Sequence, residues 1–183
     1  MCLEAGISIV CDDEIVVGGV KTLYLINKTA VTGFTLGTDH NYTAVSVSST
    51  TAAYQWHKFE FQEDTCTANW EQAINDNKSK PVSTSIACTI PHQEKVKAKA
   101  LQDAVNCCGL IAIAVTYSGE SFVYGYDEKV ENKGINAAVN GEVGATLDDN
   151  NAFLLRLEGS QRELPYQYAG TIVTTGGVVV TIA

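Results

Sequence analysis

Along this chain apolar and polar positions alternate far more often than they recur at helical spacing, and the pattern predicts a series of strands. Gly18-Gly19 opens a tight turn into the β-prone run Val20 to Asn27. Within the Thr/Ser/Val/Gly-rich stretch Thr29 to Thr51, only Tyr42 to Ser48 alternates well enough to predict a strand. Tyr54 to Phe61 has the clearest period of two, with mixed faces that suit a strand having one neighbour on each side. Glu63 to Lys80 is polar and reads as an exposed loop anchored by Trp70, and Val82 to Ile90 follows as a strand ended by Pro91.

Helical spacing occurs once. From Gln93 to Cys107, Val96, Ala100, Leu101, Ala104 and Val105 form one stripe, and Gly109 supplies the stop. Leu110 to Tyr117 and Ser121 to Tyr126 then flank Ser118-Gly119-Glu120, a hairpin whose first arm is apolar on both faces and so predicted to be central. Gly134 to Asn151 reads as a long surface loop, and Ala152 to Glu158 as a strand closed by Gly159-Ser160. Tyr166 to Ala169 and Thr171 to Ala183 supply the last β material, broken by Gly176-Gly177. The expected fold is mainly β, a β-sandwich or barrel with one flanking α-helix at about 93–107. No linker or repeat divides it, so residues 1–183 are expected to form one β-rich domain with extended loops or a terminal arm.

Composition sharpens this picture at three points. Hydrophobic residues make up 45% and charged residues 18%, enough apolar surface to offset the entropy of ordering the chain. Twelve Lys and Arg against 21 Asp and Glu leave a net charge of −9, which disfavours a sequence-independent grip on nucleic-acid phosphate. The first cation is Lys21, so no export signal is expected, and no apolar stretch approaches the roughly 20 residues that cross a bilayer.

Candidate chemistry is sparse. The six cysteines Cys2, Cys11, Cys66, Cys88, Cys107 and Cys108 contain no C-x-x-C and have no finger-like histidine spacing, so reduced, mostly buried thiols are expected. Cys2 and Cys11 flank a short turn, and their pairing is left open. His40, His57 and His92 lack neighbouring ligands at metal spacing. Cys107 and Cys108 follow a helix C-terminus, where the dipole disfavours a thiolate. Glu60, Glu63 and Asp64 read as a solvated edge, and Asp148 to Asn151 reads as a plain turn. Neither Gly18-Gly19 nor Gly176-Gly177 has a phosphate-loop context. The expectation is a protein with no catalytic site, no metal and no cofactor.

The order of these elements resembles structural proteins of tailed bacteriophages that infect Bacteroidetes, in layout the tail-tube class. The residues carrying the resemblance run from about Cys11 to Glu163. They are the Gly18-Gly-Val-Lys-Thr-Leu-Tyr-Leu25 strand, a strand leading into an amphipathic helix, the Ile111-Ala-Ile-Ala hairpin and a Gly-rich loop into Asp148-Asp-Asn-Asn-Ala-Phe-Leu-Leu-Arg-Leu-Glu-Gly159. The resemblance implies a virion subunit made in the bacterial host cytoplasm, which assembles with copies of itself into a ring, often of six, stacked into a tail tube. Other virion proteins would be neighbours, and DNA would pass through without specific binding. A head–tail connector ring is the nearest alternative.

A sheet edge invites pairing with another chain, and Val178, Val179, Val180 and Ile182 form the expected subunit interface. A ring would multiply the chain's −9, so an acidic lumen is expected to keep passing DNA from adhering. The reading from a different class is a carbohydrate-binding β-sandwich that uses Tyr54, Trp56, Trp70 and Tyr124 or Tyr126 as stacking platforms.

Overall fold

A computed structural model describes residues 18–38, 40–49, 54–61, 64–127, 133–143 and 151–182. The first strand, β1 (Val20–Asn27), matches the expected run and leads through one 3-10 turn into β2 (Val31–Leu36) and β3 (Asn41–Val47). Then come β4 (His57–Glu60), β5 (Cys66–Gln72), β6 (Val82–Pro91), the helix α1 (Lys95–Asn106), β7 (Leu110–Thr116) and β8 (Ser121–Tyr124). The chain continues as β9 (Asn136–Val143), β10 (Asn151–Gln161), β11 (Gln167–Tyr168), β12 (Gly170–Thr174) and β13 (Val178–Ile182).

These strands make three sheets. Seven form one sheet in the order β2-β3-β11-β8-β7-β1-β4, four form a second in the order β5-β6-β10-β9, and β12 and β13 form a terminal hairpin. All pairings are antiparallel except β11 with β3. Strands β2 and β4 end the large sheet without meeting, so the fold is sandwich-like and not a closed barrel among the described residues.

Two apolar layers hold the sheets together, and strict alternation in the central strands builds both. On β1, Leu23 and Leu25 enter one core while Tyr24 and Ile26 enter the other. On β7, Leu110, Ala112 and Ala114 join the first and Ile111 and Ile113 the second. An arm apolar on both faces is thus covered on both faces, as its sequence predicts. The first core lies against the four-stranded sheet, with Ile86, Cys88, Leu155 and Leu157, and takes in Leu101 and Ala104 of α1. The second lies under the terminal hairpin, which contributes Ile172 and Ile182. Each such aliphatic side chain stabilises the fold by about 1.5–3 kcal/mol when fully buried.

Several expectations are corrected. The segment read as the loop Glu63 to Lys80 contains β5, in which Cys66 and Ala68 point to the core while Thr67 and Asn69 point out. Its inward residues are small, so the alternation is faint in a polar sequence. The loop expected from Gly134 to Asn151 contains β9, where Ala137 and Val139 carry the inward face. Strand β2 lies in the stretch otherwise read as loop.

Strand β10 does not stop at Gly159-Ser160; its pairing with β6 continues to Gln161 opposite Val82. Glycine is needed at 159 because a Cβ there would lie 2.7 Å from Ile135 Cγ2. Within the run Tyr54 to Phe61, β4 is paired along its length with β1 alone, and the second neighbour is met only at Trp56, which bridges Thr174.

The helix is real, but its stripe is narrower than expected: Leu101 and Ala104 are buried, whereas Val96 and, to a lesser degree, Val105 are exposed. Cys66 and Cys88 are not free thiols. They face each other across β5 and β6 and form a disulfide inside the first core, while Cys107 and Cys108 are free. Cys2, Cys11, Asp39, Glu63 and Asp148 to Asn150 lie outside the described residues.

Candidate functional site

The terminal hairpin turns at Thr175 to Gly177, where Gly176 and Gly177 take φ of +94° and +76°, values L side chains rarely adopt. In register, Val173 faces Val179 and Ile172 faces Val180. The inner face of the hairpin seats Ile172 and Ile182 on the large sheet, beside the 1%-exposed Trp56. One edge is occupied. The Trp56 backbone N–H donates to the Val173 carbonyl at 3.1 Å, and the Thr175 N–H donates to the Trp56 carbonyl at 2.9 Å. The Thr175 hydroxyl also reaches His57 Nδ1 at 2.9 Å.

The other edge is β13, which among the described residues pairs only with β12. Val178 and Val179 are 58% and 64% exposed, Val180 is half-buried and Ile182 is 5% exposed. The four expected interface residues therefore divide: Val179 faces outward, Val178 is exposed at the turn end of the inner face, Val180 packs against the core and Ile182 is part of it. What β13 offers a neighbour is its backbone edge together with the Val173–Val179 pair on the outer face.

The remaining sheet edges differ. Strand β4 is four residues long and carries the Lys58–Glu60 ion pair. Helix α1 contacts β9, and the Gln93 amide donates to the Glu142 carbonyl there at 3.0 Å. On β2, the Phe34 N–H is taken by the Tyr126 hydroxyl at 3.3 Å. Strand β5, the outer strand of the four-stranded sheet, carries the charge of Glu71 near its end. Short length, charge and covering groups discourage strand addition at these edges, whereas β13 has no charge and no proline and, among the described residues, no such cover.

Two depressions adjoin Trp70, which is 49% exposed at the end of the four-stranded sheet. One, of about 600 Å³, crosses β5, β6 and β10. The smaller, of about 230 Å³, opens between the two large sheets and is walled by Trp70, Phe122 and Tyr124. Of the aromatics expected to stack on sugars, Trp56 and Tyr124 are buried, while Tyr54 and Tyr126 are partly buried and pack against the second core. Only Trp70 presents a largely open ring.

Tyr124 and Tyr168 have phenol pKa values pushed up to about 12 because burial penalises the phenolate. Burial likewise raises the Cys107 thiol, with Asp103 adding to the effect. His40 stacks on Tyr166 with ring centroids 3.6 Å apart, His92 lies beside Glu94, and His57 meets Thr175, so the three histidines occupy separate places. No group of three metal-ligating side chains occurs among the described residues, and no helix there is long and apolar enough to cross a membrane.

The charge is unevenly divided. The described residues carry eleven acidic and eleven basic side chains, so the excess negative charge belongs to the segments outside them, chiefly residues 1–17 and 144–150. No family model matches the chain, and neither a curated protein nor a solved structure matches it.

Proposed function

We propose that this chain is a self-assembling structural subunit of the phage-tail kind its sequence resembles, in which β13 of one copy extends a sheet of the next until a ring or tube closes around a passage for DNA. The observation that carries this reading is the edge of β13, unguarded among the described residues, five residues without charge or proline and with Val178 and Val179 in the open. An edge of this kind is a template for another strand, and head-to-tail addition of identical subunits makes rings when the rotation closes. Its partner is another copy, with other virion proteins as neighbours in the tail. DNA passes without specific binding, and neither catalysis nor a cofactor enters this role.

The test is assembly of the purified chain, followed by sedimentation and negative-stain microscopy, beside the variant Val179→Lys. Val179 is 64% exposed, so the folded subunit should change by no more than about 0.5 kcal/mol. A charge on the edge strand should nonetheless abolish rings and leave monomers. A wild-type chain that stays monomeric at every concentration overturns the proposal, as does a Val179→Lys chain that assembles normally.

A further inference from the structure

We infer that the edge receiving β13 of one copy is β5 of the next, with Val179 entering the cleft beside Trp70; this rests on the assembly reading above and names its second surface. Head-to-tail addition needs a donor and a different acceptor on every subunit. Among the described edges, β4 is short and charged, β9 lies under α1 and Gln93, and β2 has a backbone N–H taken by Tyr126. Strand β5 pairs there with β6 alone. Its charge, Glu71, lies near one end, so Cys66 to Trp70 form an uncharged stretch as long as the five residues of β13.

Backbone directions fix the register. The Thr89 N–H of β6 donates to the Thr65 carbonyl at 2.9 Å, and the Ala73 N–H donates to the Pro81 carbonyl at 3.3 Å. Odd-numbered residues of β5 therefore bond to β6, and the N–H and C=O groups of Cys66, Ala68 and Trp70 point to the open edge. On the hairpin, the Val173 carbonyl points away from β13, toward Trp56, so its partner Val179 turns its own backbone groups away from β12, as does Thr181. Antiparallel addition can then set Val179 opposite Trp70 and Thr181 opposite Ala68, each pair sharing one face.

That face leads into the cleft. Trp70 belongs to the inward side of β5 with Cys66 and Ala68, yet it is 49% exposed, because a space of about 230 Å³ walled by Ala68, Phe122 and Tyr124 opens beside it. Ligand sites begin at about 300 Å³, so the space suits an inserted side chain better than a free ligand. Val179, 64% exposed on its own subunit, is an apolar group of that kind. An aromatic facing a β-branched residue across two strands adds to the backbone bonds of strand addition.

Sedimentation of full chains tests this, with circular dichroism confirming that each variant is folded. Trp70→Lys should stay monomeric where the wild type forms rings, as Val179→Lys does. Mixed together, the two should form a one-to-one dimer and nothing larger: β13 of the Trp70→Lys chain enters β5 of the Val179→Lys chain, and each end of the dimer is then a blocked edge. Trp56 is buried, so Trp70 of the Val179→Lys chain is the open indole of the mixture; its emission should shift to the blue and its quenching by acrylamide should fall. Should Trp70→Lys fail to fold, Ala68→Pro takes its place, because the Ala68 N–H points to the open edge and proline there removes a bond of the joint, not of the subunit.

The inference is overturned if the folded acceptor variant forms rings as the wild type does, or if the mixture stays monomeric or grows beyond dimers. It is also overturned if Trp70 is already shielded from acrylamide in the Val179→Lys monomer, which would give the cleft to another segment of the same chain. A wild-type chain that never assembles removes the assembly proposal and this inference with it. Rings that Val179→Lys abolishes and the acceptor variants leave intact remove only the assignment of β5.

Discussion

Gly170, at the start of β12, is the point where the terminal hairpin passes closest to the large sheet. A Cβ at this position would lie 2.3 Å from the Thr43 carbonyl oxygen, 3.0 Å from its carbon and 3.0 Å from the Tyr168 hydroxyl. Thr43 belongs to β3, which is held by β2 on one side and β11 on the other, so its backbone has little room to retreat. Gly170→Ala therefore has to shift the hairpin, and overpacking of this sort costs about 1–3 kcal/mol.

Opposing the shift are Ile172 and Ile182, together worth about 3–6 kcal/mol of burial, and the backbone bonds to Trp56. Docking wins over the clash. The variant should fold with its hairpin seated but displaced, losing about 2–3 kcal/mol and about 4–12 °C in Tm at this chain length. Urea denaturation read by tryptophan emission gives the loss, and acrylamide access to Trp56, which should rise, locates it. Gly18→Ala, where an added Cβ meets nothing within 4 Å, is the control and should be neutral. A Gly170→Ala midpoint within about 0.3 kcal/mol of wild type, with Trp56 still shielded, would refute the account of how the hairpin is held.

Truncation after Tyr168 should lower subunit stability as well as abolish assembly, because it removes Ile172 and Ile182, again about 3–6 kcal/mol, from the second core; denaturation of the truncated chain measures this. Alkaline pH should destabilise both cores. Tyr124 and Tyr168 titrate near 10 when unfolded and at about 12 when folded, so their contribution is complete below pH 10 and disappears as pH rises to about 12. Two of the eight phenols should therefore stay protonated past pH 10 and ionise only together with unfolding; all eight ionising near 10 in a folded chain would contradict it.

What could be read from the sequence was what bulky side chains announce. Strand β1 and the β7–β8 hairpin follow from runs of Leu, Ile, Val and Tyr, and the central place of β7 follows from apolar residues on both of its faces. Strands β5 and β9 were hidden because Cys66, Ala68 and Ala137 fill the inward positions with little volume, leaving the polar outward face to dominate composition. Valines 96 and 105 repeat at a helical spacing that includes Leu101, yet the partner surface is narrow enough to cover only Leu101 and Ala104. Pairing of Cys66 with Cys88 depends on the β5–β6 register, which cysteine spacing does not encode. The edge of β13 was legible as an uncharged β-branched run. The sharing of its side chains between core and surface was not, because that depends on how the hairpin sits.

This sharing bears on how a structural subunit would keep its assembly edge in order. An apolar two-stranded hairpin alone is at best marginally stable in water, and a loose one would present its edge in many orientations. Here Ile172 and Ile182 seat the hairpin from within, while Trp56 and Thr175 fix its far side through the backbone. The same alternation that buries those isoleucines turns Val173 and Val179 outward as a facing pair. Folding of the second core thus sets the direction in which β13 is offered, and the ordering entropy that docking would otherwise cost an assembling neighbour is already met inside the subunit. If the edge serves a ring, substitutions beneath the hairpin should slow assembly in proportion to the disorder they introduce, even though they lie out of reach of any neighbouring copy.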